Sequence, residues 1–260
     1  MNLKDSKNYK QIFLSRKMVN LAKRGQMTIF IIVAVAVVAL IVLLFIFRPQ
    51  LGEIFGEEIN PSVYLRECLE PQIRPAVELL AKQGSYQDPL GAITYKGEKI
   101  KYLCYTDDYY ETCSVQQPMT KNNFEKELNL MVKSKANICV RSLIDEYEKR
   151  DYLVDSGGVE CSIAIVPNKI IVSYNAPLTV SRNNQLNTYQ NFNVELGSEM
   201  YDLLFIASSV IEYESKMGDS ASELYLQYYP DLRIEKIKLT DGTKIYKLSN
   251  VVTEEEFSFA

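Results

Sequence analysis

The chain reads as α+β, with one N-terminal transmembrane helix followed by an extracytoplasmic domain of about three helices and a mostly antiparallel sheet. Three observations predict this. Residues Met27 to Phe47 (MTIFIIVAVAVVALIVLLFIF) run without a charge. Beyond them, stripes of apolar residues at helical spacing occur irregularly among short alternating segments. Those alternating segments come in pairs around turn residues, the pattern of hairpins rather than of a parallel sheet with a helix between every two strands. The divisions are a basic leader over 1–26, the apolar helix over 27–47, a connector over 48–60 and one domain over 61–260.

At about 1.5 Å of rise per residue the apolar run is roughly 31 Å long, which matches a hydrocarbon core of about 30 Å. The residues before it carry Lys4, Lys7, Lys10, Arg16, Lys17, Lys23 and Arg24 against Asp5 alone, while those after it sum to net −10. Basic flanks stay cytoplasmic, so the expected topology is N-terminus inside and acidic domain outside. An ordinary cleaved secretory signal fits poorly. Its apolar region is usually about 7 to 15 residues long and ends in a small-x-small site, whereas this run ends Leu-Phe-Ile-Phe-Arg-Pro. An uncleaved signal anchor is the plain alternative.

In the connector (RPQLGEIFGEEIN), Asn60 and Pro61 form an N-cap and first-turn pair. After Pro71 comes a clean amphipathic stripe, Ile73, Ala76, Val77, Leu80 and Ala81, with Gly84 as a stop. Ala92 to Tyr105 alternates around Lys96-Gly97-Glu98 and reads as a hairpin, and Asp107 to Pro118 as a polar loop. The longest outer helix carries Phe124, Leu128, Met131, Val132, Cys139, Val140, Leu143 and Tyr147 on one face, with Asn122 and Glu125 as its start signal and lysines on the other face.

Past Gly157-Gly158, CSIAIV and KIIVSY flank Pro167-Asn168 as a second hairpin, and PLTV and NFNVEL continue the sheet. Met200, Leu203, Leu204, Ala207 and Ile211 mark a third helix, with Ser198 near its cap. LRIEKIKL, Asp241-Gly242 and KIYKLSNVV close the chain as a hairpin.

All five cysteines, Cys68, Cys104, Cys113, Cys139 and Cys161, follow the apolar run. Export to an oxidising space permits disulfides, and an odd number leaves one over. Sequence alone does not choose among the pairings. The preferred reading joins Cys104 to Cys113 across a tyrosine-rich loop and Cys68 to Cys139 between two helices, leaving Cys161 unpaired. These closures stabilise by about 3 and 4 kcal/mol in the chain-entropy picture. Buried free thiols are the alternative.

Composition narrows the chemistry. With no histidine in the chain, Ser-His-Asp and Cys-His catalysis and histidine-dependent zinc sites are excluded. No C-x2-4-C pair, phosphate loop, dinucleotide fingerprint or EF-hand loop is present, so no catalytic residue, cofactor or metal is assigned. The acidic outer part argues against nucleic acid. Three carboxylate groupings remain: Asp107-Asp108, Glu212 with Glu214, and Glu254-Glu255-Glu256. Solvated charge is the plain reading of each. A tethered hydrolase would need two of them about 5 to 9.5 Å apart across a cleft, one with a raised pKa, and Asp107-Asp108 could alternatively meet a divalent cation. Tyr102, Tyr105, Tyr109 and Tyr110 cluster around Cys104, where they suit either half-buried sheet positions or a recognition loop.

At Lys23-Arg24-Gly25-Gln26-Met27-Thr28 the chain resembles archaeal class III, or prepilin-type, signal sequences of type IV pilin-like surface proteins. The resemblance covers about 25 residues. It implies that a membrane-embedded prepilin peptidase cuts between Gly25 and Gln26, leaving Gln26 as the mature N-terminus and the apolar helix on the mature protein. It also implies a structural role at the cell surface, in which apolar helices leave the bilayer and bundle by self-assembly or with other pilin-like subunits. Phe30 departs from the pattern, since many members carry Glu there, and the outer domain is larger than a typical small archaeal pilin domain. Two other classes stay open: a membrane-anchored binding or accessory module without processing, and the tethered hydrolase.

Overall fold

The computed structural model describes residues 30–43, 59–108 and 110–260. Two compact units divide the chain, Met1–Glu58 and Ile59–Ala260. In the first, 30–43 is a helix, α1, with its apolar side chains exposed. Among the described residues no helix is long and apolar enough to cross a membrane. The remainder of the 27–47 run and the Gly25–Gln26 bond lie outside those residues.

The second unit is α+β. Helix α2 spans Pro61–Lys82, and the Asn60 side chain accepts the N–H groups of Ser62 (3.1 Å) and Val63 (3.3 Å), satisfying donors that a helix start leaves orphaned. The stripe after Pro71 is not a separate helix, because α2 runs on through Pro71 and Pro75. Both prolines lie on its exposed side, where water can hydrate the carbonyls that lose their partners. An interior proline costs about 3 kcal/mol. Burial of Leu65, Leu69, Ile73 and Leu80 on the opposite face offsets that, at about 1.5–3 kcal/mol each as an upper estimate.

Helix α3 (Thr120–Glu148) lies antiparallel to α2. Tyr147 donates to the Ile59 carbonyl (3.1 Å), Cys139 is bonded to Cys68, and Asn123 donates to the Ser85 carbonyl (2.8 Å), so contacts step in opposite senses along the two helices. Asn122 and Glu125 do not start α3. It begins one turn earlier behind Met119, without a side-chain cap, while Glu125 accepts the Ile165 N–H (2.7 Å) and so ties α3 to the sheet.

Strands β1 (Ala92–Tyr95) and β2 (Glu98–Lys101) form a hairpin whose turn residues, Lys96 and Gly97, both have positive φ. β3 (Cys104–Tyr105), at the end of the stretch read as the first hairpin, pairs instead with β4 (Ser114–Val115), inside the stretch read as loop. In the larger sheet, β7 (Lys169–Arg182) is central. It pairs with β6 (Glu160–Val166) along its first half, with β5 (Leu153–Ser156) along its second, and with β8 (Gln185–Gly197) on the other edge. KIIVSY and PLTV are thus one strand, not two. A register shift between Asn175 and Leu178 absorbs Pro177, whose carbonyl accepts the Gly157 N–H (2.9 Å). Ile170, Val172, Tyr174, Leu178 and Val180 bury one face of β7.

Helix α4 spans Met200–Met217. The Ser198 hydroxyl accepts the Met200 N–H (3.2 Å), and Gly218, at φ 73°, closes the other end in the left-handed cap that glycine adopts without a Cβ penalty. The final sheet has the order β11-β10-β9, from β9 (Leu232–Lys238), β10 (Lys244–Asn250) and β11 (Glu256–Phe259). Of the Asp241-Gly242 pair only Gly242 has positive φ (89°), and its N–H donates to the Leu239 carbonyl, so this is a three-residue hairpin loop. One apolar cluster joins α2, α3, α4 and both larger sheets, with Phe124, Phe257, Leu128 and Tyr246 among its largest members.

Candidate functional site

Three segments distant in sequence meet around a cleft of about 530 Å³. The first is the 104–113 loop, closed by a disulfide between Cys104 and Cys113. The second is the C-terminal end of α4. The third is the β9–β10 loop with β10 below it. Just before the first, the Ala260 carbonyl accepts the Leu103 N–H (2.8 Å) and the Ala260 N–H donates to the Lys101 carbonyl (2.9 Å), joining it to the end of β11, which pairs with β10.

Beneath the cleft lies a charged network around Glu214, whose side chain is 9% exposed. It accepts from Lys244 Nζ at 2.6 Å, from the Ser220 N–H at 2.8 Å and from the Tyr246 hydroxyl. Lys236 Nζ is 3.3 Å away and is also ion-paired with Asp219. Burial acts to raise the Glu214 pKa, yet the bonds from Lys244, Tyr246 and Ser220 together overcome it and leave the pKa below the ordinary value. Asp219 is drawn down to about 2, first by its bond from Lys236 and then by Lys244. Tyr246 is pushed far up by burial and by its bond to Glu214.

The three carboxylate groupings separate. Glu212 is exposed and paired with Lys216, while Glu214 on the other side of α4 is buried and held ionised. Asp107 and Asp108 sit on the cleft rim, where Asp107 accepts the Tyr105 hydroxyl (2.7 Å). Glu255 turns inward to accept from the Ser198 hydroxyl (2.7 Å) and the Glu199 N–H at the start of α4, whereas Glu256 begins β11. A glycosidic acid needs a raised pKa, and the buried carboxylate beneath this cleft is displaced the opposite way. Among the described residues no group of three or more Cys, Asp and Glu could hold a metal.

Of the clustered tyrosines, Tyr102 and Tyr105 meet edge to face at 5.4 Å in the cleft wall, Tyr110 is largely exposed, and Tyr109 lies outside the described residues. Cys68 and Cys139 bridge α2 and α3 away from the cleft, and Cys161 is free. Cys161 sits half-buried on β6 directly opposite Tyr174, where burial pushes its thiol up to about 11 against a smaller opposing effect of Lys133.

Lys236, Lys244, Asp219 and Tyr246 gave no motif in the sequence. One signal was present: the hairpin register puts Lys238 directly opposite Lys244. Like charges so placed are destabilising unless an acid lies between them, and Asp219 serves both, at 3.8 and 3.3 Å.

Compared with family models, with curated proteins and with solved structures, the chain matches none.

Proposed function

We propose that this chain is a membrane-anchored cell-surface structural protein, a pilin-like subunit or assembly component processed between Gly25 and Gln26. One observation carries the reading: Lys23-Arg24-Gly25-Gln26 stands at the edge of an uncharged run long enough to span a bilayer, and every cysteine follows that run. Two intramolecular disulfides in the downstream unit accord with an oxidising compartment. The basic leader stays cytoplasmic, the apolar helix is retained after cleavage, and the outer domain is displayed. No reaction is assigned to it.

Mass spectrometry of the protein from native membranes tests the proposal. An N-terminus at Gln26 is expected, and one at Met1 in cells with active prepilin peptidase sinks the processing step. The 530 Å³ cleft with its tyrosine wall favours a second reading, an unprocessed anchored binding module. A strict monomer in mild detergent, together with no filaments in expressing cells, selects that reading.

A further inference from the structure

The exposed face of α3 is unlike the rest of the outer domain. Lys126, Lys133 and Arg141 project from it within about 80° of arc and over about 22 Å of helix, and from Leu128 to Ile144 the helix carries no acid. None of these three cations has an ion-pair partner among the described residues. Between them Leu130 and Ile138 are 61% and 55% exposed, although a solvated helix face carries polar residues. This face stands in a part of the chain whose net charge is −10.

The complementary surface is on the same molecule. Asp107, Asp108, Glu111 and Asp241 are exposed on the rim of the cleft, and none has an ion-pair partner among the described residues. We propose that the basic α3 face of one copy docks on the acidic cleft rim of a second copy, with Leu130 and Ile138 buried between them. This interface rests on reading the chain as a subunit of an assembly. Two different patches meeting in this way form a heterologous contact, which extends into an open array unless the rotation closes it. Opposed charge sets orientation and encounter rate, and the two apolar side chains add contact area that the ion pairs alone lack.

The test uses the full-length protein in mild detergent, followed by sedimentation velocity. Self-association at about 0.05 M salt is expected to weaken at least tenfold at about 0.5 M, because screening shortens from about 14 Å to about 4 Å. K133E/R141E and D108K/E111K, all at exposed positions, should each reduce association at low salt to the high-salt level. An equimolar mixture of the two should restore pairwise association, because the unaltered α3 face of the rim variant can dock on the unaltered rim of the α3 variant, with far-UV circular dichroism unchanged in both. A wild-type monomer at low salt, association insensitive to either swap, or a mixture that stays dissociated overturns the proposal. Wild-type binding to phosphatidylglycerol vesicles that K133E/R141E loses, without self-association, also overturns it and assigns the face to an anionic surface. A processed N-terminus with no salt-sensitive association removes this interface alone, whereas an N-terminus at Met1 with such association removes only the processing step.

Discussion

Lys244 Nζ lies 2.6 Å from Glu214 Oε2, joining the β9–β10 hairpin to the last turn of α4 across 30 positions of sequence. Removing one partner of a buried pair leaves the other charge uncompensated, at a cost of about 3–5 kcal/mol. Glu214→Gln should therefore lower the stability of the outer domain by about 3 kcal/mol, read as a fall in the denaturant midpoint at unchanged slope. A midpoint equal to wild type would falsify the anchoring role.

The same network predicts acid sensitivity of a definite sign. Folded-state pKa values of Glu214 and Asp219 lie below their ordinary values, that of Asp219 at about 2. Their contribution is present above the unfolded carboxyl range, about pH 4, and is lost as pH falls through the folded values. Thermal midpoints should stay level from pH 7 to about 5 and decline between about pH 4 and 2. A Glu214→Gln/Asp219→Asn variant should decline less steeply over that window, and an identical slope in the two proteins contradicts the assignment.

The disulfides should differ in reach. Cys68–Cys139 closes 71 positions of chain between two core helices, and its loss in a Cys68→Ser/Cys139→Ser variant should cost about 4 kcal/mol. Cys104–Cys113 spans 9 positions at the cleft wall, where Cys104→Ser/Cys113→Ser should cost about 3 kcal/mol. Non-reducing peptide maps check both, and alkylation of any of these four thiols without reductant counts against its bond.

Cys161 should be a slow thiol. With its pKa at about 11, little thiolate exists at pH 7.5, and Cys161 is itself half-buried. Iodoacetamide should label it much more slowly in the native protein than in urea. Equal rates in the two states rule out the burial.

At the end of the chain, Phe257 is fully buried with ring centroids of Phe124 and Phe259 at 6.5 and 5.9 Å. Phe257→Ala should cost about 3–5 kcal/mol. Chemical denaturation measures it, and a loss under 1 kcal/mol would show that β11 contributes little to the core.

Local chemistry was legible in the sequence wherever one short segment contains all of its own signal. Asn60-Pro61 starts α2 because cap and first turn are adjacent, and Asn168 turns β6 into β7 because it tolerates positive φ. The apolar periods of α3 and α4 likewise reappear as buried faces. Where two local signals conflicted, reading was harder. The prolines of α2 suggested a break that the buried stripe overrides, and Pro177 suggested a strand end that a register shift accommodates. β11 escaped notice because three of its four residues are buried in succession behind a run of glutamates, which leaves no alternation to read.

By itself the sequence determined the main helical stripes and most of the extended segments, the uncharged run with its basic approach, and an α+β class, since each depends on residues a few positions apart. Only the tertiary structure decided that Glu214 would meet Lys236, Lys244 and Tyr246, that the 104–113 loop would face the β9–β10 hairpin across a cleft, and that the cations of α3 and the acids of the cleft rim would both stay unpaired within the outer domain. Those relationships depend on how elements pack through side-chain shape and buried charge, and no periodicity along the chain encodes them.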